Sequence, residues 1–275
     1  GEVTMIKISC NYLSFPGIDV ESFIRLAYDL RLDMIDLHRS AFASTDLRYL
    51  HSVKLLCLRL GLPIGYLGVS NRFVGTDPEL EEQVNMCKES INVAAFIGAP
   101  LIRIFGGEVP SDIEDREPLF QPLVNCVRRV AEYGAQKGVV VALQNHDNNN
   151  MAATGEDMLR ILEETDHANF GLILDTGQWL GSPGASPNGQ SNQSNQSVDF
   201  YRYIEQTAPH AIYVRAKFYM NDSGKEKWLD YDRITAILRD VDYNGPVSIV
   251  YEGDAQSENR VDAVRKAAAE LRSLI

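Results

Sequence analysis

The sequence FGLILDTGQW at residues 170–179 is an apolar run that ends in a polar tip. Three further segments have the same form: VVVALQNH at 139–146, AIYVRAKFY at 211–219 and VSIVYEGD at 247–254. Short runs rich in Val, Ile and Leu are typical of strands buried on both faces of a parallel sheet. The carboxyl ends of such strands carry the chemistry, so these tips should lie at one site.

Strand-like runs alternate with amphipathic helical patterns eight times along the chain. The predicted strands lie near 5–11, 33–38, 63–69, 101–106, 139–145, 171–175, 211–217 and 247–252. The predicted helices lie near 19–31, 46–60, 79–98, 120–134, 155–164, 198–207, 230–240 and 257–274. This pattern predicts an α/β protein with a single (β/α)8 TIM barrel over residues 1–275.

Local signals refine this picture. Asp77 before Pro78 suits a helix cap and first turn, and Thr154 with Asp157 suits a capping box. No GxGxxG motif opens a helix after the first strand, and no Walker-type loop is present, so no nucleotide cofactor is expected. Residues 181–197, rich in Gly, Ser, Asn and Gln, are expected to form a flexible loop after strand six, either over the barrel mouth or as a solvated insertion without a role.

Composition narrows the partners. The 38 acidic and 26 basic residues give a net charge of -12, which repels nucleic acid and anionic membrane surfaces. The four cysteines form no CxxC pair, and no apolar run reaches the length of about 18 residues that suggests a membrane span. We therefore expect a cytoplasmic protein that binds a small molecule; a homo-oligomer is compatible with the sequence.

Four strand-end residues define the expected site: Gln144, Asp175, Arg215 and Glu252. Active sites of TIM barrels are built at the carboxyl ends of the strands, from residues of several strands. Strand side chains alternate between faces, so His146 should point the same way as Gln144, and Lys217 the same way as Arg215.

The motifs LQNH, LDTGQW, YVRAK and YEGD, with weaker support from IRIFGG at 102–107, make the chain resemble the xylose isomerase-like barrels, often called sugar phosphate isomerases/epimerases. In that family these strand ends typically read LENH, LDTGH, VHVKD and EGD. Glu, Asp, His and Glu there hold a divalent metal, and the two glutamates act as acid/base groups. The resemblance implies the barrel fold and a carbohydrate substrate.

This chain departs from that pattern. Gln144 replaces the first glutamate, Arg215 replaces the histidine, and Gln178 stands where another histidine is frequent. The candidate ligands for Mn²⁺ or Mg²⁺ are then Asp175, Glu252 and the carbonyl of Gln144. A neutral amide and a permanent cation argue against a tight metal site, and Arg215 could supply the positive charge itself. An inert ion-pair cluster is the other interpretation.

An amide cannot accept a proton near neutral pH, so the two-base arrangement is lost and Glu252 is the matched base. One base suffices for aldose–ketose isomerisation through an enediolate, which makes a sugar or keto-sugar isomerase the leading hypothesis. His146 is a second candidate for proton transfer or a hydrogen-bonding orienter. Lys217 would contact substrate oxygens or, less in keeping with the flanking sequence, form a Schiff base.

The remaining candidates are contacts to the substrate. They are Arg215, Gln144, Arg103, His38, Trp179 and Gln178. Trp179 could form an apolar wall for a sugar ring or pack against a helix. A catalytically inactive barrel that binds a sugar or serves as a partner subunit is the alternative function. Cleavage of abasic DNA, which occurs among relatives with this fold, is opposed by the acidic charge.

Overall fold

The computed structural model describes residues 6–147, 149–184, 198–253 and 257–275. Eight parallel strands pair in sequence order, and the last pairs with the first to close a barrel. The strands are β1 Ile8–Asn11, β2 Met34–His38, β3 Ile64–Gly68, β4 Leu101–Ile104, β5 Val140–Gln144, β6 Phe170–Asp175, β7 Ala211–Phe218 and β8 Val247–Tyr251. The predicted (β/α)8 barrel is confirmed.

An α-helix follows each strand. The helices are α1 Val20–Asp29, α2 Leu47–Leu60, α3 Asp77–Ile97, α4 Glu117–Lys137, α5 Gly155–Thr165, α6 Tyr201–Thr207, α7 Tyr231–Asp240 and α8 Ser257–Leu274. Short 3-10 helices at Tyr12–Ser14, Arg39–Ala41 and Ala208–His210 were not predicted. They lie in the connections between strands and α-helices. A single 3-10 turn is too short to show a repeating apolar pattern in the sequence.

Two helix starts test the predicted caps. The N-cap of α3 is Thr76, whose backbone N donates a hydrogen bond to the Glu79 carboxylate at 2.7 Å. The prediction of Asp77 as the cap was therefore wrong by one residue, although Pro78 does lie in the first turn. Thr154 caps α5 as predicted, because its Oγ1 accepts from the backbone N of Asp157 at 3.1 Å.

The core has two parts. The larger part lies between the strands and the surrounding helices, and a smaller cluster forms from Tyr66, Leu101, Ala142, Ile173 and Tyr213 inside the barrel. Polar side chains share the interior with this second cluster. Residues 185–197 lie outside the described residues, and with them most of the predicted loop 181–197. Among the helices that are described, none has both the length and the apolar character that crossing a membrane requires.

Candidate active site

The four strand-end residues meet at the carboxyl end of the barrel, as predicted. Asp175 ends β6 and is paired in register with Arg215 of β7. Along β7, Tyr213, Arg215 and Lys217 alternate with outward residues, so all three face the interior at rising levels. Tyr213 belongs to the small cluster inside the barrel, and Arg215 and Lys217 lie nearer the mouth.

Asp175 is the centre of a buried polar cluster. Its Oδ2 lies 3.2 Å from Arg215 Nε, 3.5 Å from Lys217 Nζ and 3.3 Å from Gln144 Nε2. Arg215 Nη1 donates to Gln144 Oε1 at 2.6 Å, which closes a triangle of three side chains. The Asp175 side chain is 0% exposed and Arg215 is 3% exposed, so water screens these charges little.

Arg215 keeps its charge in this setting. Burial alone would lower the pKa of the guanidinium, but nearby Tyr66, Asp175 and Glu252 raise it above its ordinary value. A buried ion pair contributes little net stability, whereas loss of one partner leaves an uncompensated charge that costs about 3–5 kcal/mol.

Glu252 follows β8 and is the acid of the cluster that reaches solvent, with 34% of its side chain exposed. Its Oε1 accepts from Lys217 Nζ at 2.7 Å. Burial alone would raise the pKa of the Glu252 carboxyl, but Lys217 and then Arg215 lower it below its ordinary value. Glu252 is therefore ionised at neutral pH and can accept a proton.

Gln178, Asp147 and Asn145 connect the cluster to the loops after β5 and β6. With its amide oriented to satisfy both atoms, Gln178 donates to Asp147 Oδ1 at 2.7 Å and accepts from Lys217 Nζ at 3.3 Å. Asn145 Nδ2 donates to the backbone oxygens of Asp175 at 3.0 Å and Gln178 at 2.9 Å, and its Oδ1 accepts from Asp175 N at 2.8 Å. Asn145 and Asp147 were not predicted as site residues, although Asn145 lies within the LQNH motif and Asp147 follows it directly.

His146 also reaches the mouth, with 29% of its side chain exposed. Its Nδ1 lies 3.2 Å from Asp147 Oδ1, and its ring meets Phe105 edge-on at 5.1 Å between centroids. Both rings line a cavity of about 240 Å³, together with residues that include Ser70 and Asn150. The structure thus gives His146 a fixed orientation beside an open volume, which suits either of its two predicted roles.

Arg103 and His38 lie on β4 and β2, next to the cluster rather than in it. His38 Nδ1 contacts Ser40 Oγ at 2.6 Å and Nε2 contacts Ser70 Oγ at 3.0 Å. Burial, followed by the charges of Arg103 and Arg215, lowers the pKa of His38 to about 4. This ring is neutral at physiological pH, and its nitrogens are both engaged.

Trp179 does not line the mouth. Its side chain is 0% exposed and packs against Tyr203 of α6, with 5.6 Å between ring centroids. The contact matches the other predicted role, packing against a helix, and not the sugar-facing wall. Ser182 Oγ accepts a hydrogen bond from Trp179 N at 3.0 Å.

Below the cluster, Asp36 of β2 and Asn11 of β1 form a second polar layer. Both residues lie in strands and are buried. Asp36 accepts from Tyr213 Oη at 2.5 Å and from Ser9 Oγ at 3.0 Å, and Asn11 donates to Tyr66 Oη at 2.6 Å. Burial raises the pKa of Asp36 to about 6.

The donor set fits a divalent metal poorly. Gln144 Oε1 already accepts from a guanidinium, and Asp175 Oδ2 faces two cationic side chains. A cation placed among Gln144, Asp175 and Glu252 would meet Arg215 and Lys217 at close range. Across the described residues, no group of three or more His, Cys, Asp and Glu side chains is arranged to hold a metal ion.

Solved structures of similar fold include sugar epimerases. The chain superposes on D-allulose 3-epimerase from Methylomonas sp. with a TM-score of 0.76 and 18% identity, covering 99% of each chain. It superposes on D-psicose 3-epimerase from Clostridium cellulolyticum H10, solved with D-tagatose, with a TM-score of 0.77 and 14% identity, covering 98% of each chain. It superposes on 3-keto-D-glucoside 4-epimerase from E. coli with a TM-score of 0.76 and 17% identity, covering 98% of this chain and 99% of that chain.

At these identities the likeness establishes the fold. No curated protein matches the sequence. The family model for the xylose isomerase-like TIM barrel matches residues 24–274, which is most of the chain. The chain belongs to the xylose isomerase-like TIM barrel family.

Proposed function

We propose that the chain is a sugar isomerase that moves a proton next to the carbonyl of a keto-sugar, with Glu252 as the base. The observation that carries the proposal is the 2.7 Å contact between Glu252 Oε1 and Lys217 Nζ at the mouth of the barrel. A partly exposed carboxylate and an ammonium group side by side are what proton abstraction next to a carbonyl requires.

In the proposed step, Glu252 removes a proton from the carbon next to the carbonyl. The electron pair moves to the carbonyl oxygen and gives an enediolate. Glu252 then returns the proton to the former carbonyl carbon. Lys217 stabilises the oxyanion by giving up its longest contact, the 3.5 Å approach to Asp175. His146 is placed to move the proton between the two substrate oxygens.

Arg215 and Gln144 act from below the reacting atoms in this proposal. Arg215 is held by Gln144 Oε1 at 2.6 Å and lies 3.2 Å from Asp175 Oδ2, so it cannot swing toward a substrate without breaking the cluster. Its fixed charge raises the electrostatic potential at the mouth and favours the enediolate.

A Schiff base on Lys217 is disfavoured by the same contacts. The side chain is 1% exposed, and Nζ lies between two carboxylates, 2.7 Å from Glu252 and 3.5 Å from Asp175. A carbonyl carbon could reach Nζ only after these contacts had been broken.

Fold relatives suggest the first substrates to test. They are named as epimerases of D-allulose, which is also called D-psicose, and of a 3-keto-D-glucoside, so ketoses and keto-glycosides head the panel, followed by aldoses. Glu252→Gln should reduce turnover by about 10²-fold or more, since general acid–base catalysis contributes that much, while substrate affinity changes little. Turnover is followed by chromatography of the sugar products, and affinity by isothermal titration calorimetry.

Glu132→Gln is the matched control, because that side chain is 64% exposed on the outer face of α4 and the change in charge is the same. Turnover by Glu252→Gln equal to that of the control would reject the proposed base.

The alternative is a catalytically inactive barrel that binds a sugar or serves as a partner subunit. The mutual neutralisation of Asp175 and Arg215 in the interior favours this reading, because an inert cluster needs no substrate. Sugar binding without turnover by the wild-type protein, over the whole panel, is the result that would establish it.

A further inference from the structure

Arg103 is a buried cation that lies on β4 and is 2% exposed. Among the residues that the structure describes, neither Nε nor Nη1 has a hydrogen-bond partner. Throughout the described residues it forms no ion pair. A buried donor without a partner costs about 1–3 kcal/mol and a charged one more, so such groups call for an explanation.

The neighbouring charges do not supply the partner. Lys217 pairs with Glu252 at 2.7 Å, and Arg215 pairs with Asp175 at 3.2 Å. Burial, and then repulsion from Arg215, lowers the pKa of Arg103 to about 9, which still leaves the guanidinium charged at neutral pH. Among the described residues, Arg103 therefore has no carboxylate within ion-pairing distance.

The surrounding residues hold the guanidinium flat in the interior of the barrel. It stacks on the Phe105 ring with 3.9 Å between Arg103 Cζ and the ring centroid. On β3, Gly68 is paired in register with Arg103, and a Cβ at that glycine would lie 2.7 Å from Nη2. The absence of a side chain at Gly68 thus makes room for the guanidinium, whose Nε and Nη1 have no acceptor among the described residues.

His38 does not compete for an anion. It is neutral at physiological pH for the reasons given above, and Ser40 and Ser70 occupy its two ring nitrogens. Phe105, on which the guanidinium stacks, lines a cavity of about 240 Å³ together with His146.

We propose that Arg103 binds an anionic group, a carboxylate or a phosphate, at the end of the substrate remote from the reacting carbons. The inference rests on the proposed function for the identity of the reacting end. In a ring of eight strands in sequence order, β4 lies opposite β8, so a ligand that reaches both Arg103 and Glu252 spans the mouth. The substrate class is accordingly a sugar acid or a sugar phosphate whose carbonyl and anionic group lie at opposite ends.

The test compares gluconate, fructose 6-phosphate and neutral fructose, each titrated calorimetrically into wild-type protein in a phosphate-free buffer at low ionic strength. One of the two anionic sugars should bind at least about tenfold more tightly than fructose, as expected for a charge-assisted bidentate contact. The preferred anion then identifies the carboxylate or the phosphate as the group that is recognised.

Arg103→Gln should reduce this preference to within about twofold, because an amide cannot make a charge-assisted fork. Arg129→Gln is the control, since Arg129 is 46% exposed and its partner Glu81 lies on the outer surface. A preference retained in Arg103→Gln, or no preference in the wild type, would overturn the inference.

Thermal unfolding gives a second, independent measurement. Removal of an unpaired buried charge should leave the melting temperature of Arg103→Gln equal to or above that of the wild type, whereas loss of a structural partner would lower it. A fall of several degrees would assign Arg103 a structural role instead.

The two proposals fail separately. If Arg103→Gln loses the anion preference while no sugar is turned over, the anion site stands and the isomerase function falls. If fructose is turned over as well as its 6-phosphate and gluconate does not inhibit, the isomerase function stands and the anion site falls.

Discussion

Glu252 combines two properties that a base at neutral pH needs. Its carboxylate reaches solvent, and Lys217 at 2.7 Å helps to hold its pKa below the ordinary value. The ionised form is the active one, so the rate should fall only when the pH falls through this lowered pKa. We expect the acid limb of kcat/KM, measured with any ketose that is turned over, to lie below about pH 4.3, the ordinary glutamate value.

Lys217→Gln should move that limb to higher pH, because the largest electrostatic stabilisation of the carboxylate is lost. An acid limb at the same pH in both proteins would contradict the pairing of these residues.

Asp36 makes stability depend on pH in the opposite sense to a paired carboxylate. Burial raises its folded pKa to about 6, so between about pH 4 and 6 the folded state retains a proton that the unfolded state loses. Its contribution to the free energy of unfolding therefore falls as pH rises through that window, by about 3 kcal/mol at most. Asp36→Asn should flatten this fall in urea titrations; an unchanged slope would show that Asp36 is ionised throughout.

The strand-end residues were predictable one by one, but their contacts were not. Gln144, Asp175, Arg215 and Glu252 stand at the ends of apolar runs, and a parallel sheet must bring such ends together. The contacts among Gln144, Asp175 and Arg215 depend on side-chain conformations across neighbouring strands. The spacing of these residues in the sequence does not predict those conformations. Trp179 illustrates the limit, since its position against a helix depends on a contact with Tyr203.

At the level of the elements, the sequence pattern predicted the eight strands and eight helices with ends shifted by a few residues. Periodicity succeeds because each strand is buried on two faces and each helix on one. It misses the 3-10 turns and the Thr76 cap, because single hydrogen bonds decide these and no repeating apolar pattern marks them.

The contact between α4 and β5 provides an element-scale prediction. A Cβ at Gly134 of α4 would lie 2.4 Å from the backbone oxygen of Val139, closer than any relaxed contact. Helix propensity alone would make Gly134→Ala stabilising by about 1 kcal/mol, but overpacking against backbone costs about 1–3 kcal/mol. We expect a net loss in the free energy of unfolding, measured in urea.

Ala135→Gly, at the exposed neighbouring position, is the control and should lose about 1 kcal/mol through propensity alone. A more stable Gly134→Ala protein would mean that α4 can move away from β5 without cost.

The molecule as a whole is acidic, with a net charge of -12, yet its barrel mouth holds Arg103, Arg215 and Lys217. Long-range attraction therefore does not bring an anionic ligand to the protein, and local contacts must select it. The same cations oppose a divalent metal at the mouth.

A metal titration measures that opposition. A site occupied at one hundred times its Kd stabilises the folded state by about 2.7 kcal/mol, which would raise the melting temperature by several degrees. The metal is added at about 1 mM Mn²⁺, which is about one hundred times a Kd in the micromolar range. Because Arg215 and Lys217 face Asp175, we expect no such rise in melting temperature relative to NaCl of equal ionic strength. A rise of several degrees would contradict the assignment of Arg215 as the fixed cation of the site.

Solvent hydrogen exchange tests the central claim most directly. Each ketose of the panel is incubated with the protein in D₂O, and deuterium at the carbon next to the carbonyl is followed by NMR. The wild-type protein should incorporate deuterium into at least one ketose, while Glu252→Gln, although it still binds that ketose, should incorporate none above the buffer rate. Equal incorporation by the two proteins would contradict the account of Glu252 as the base.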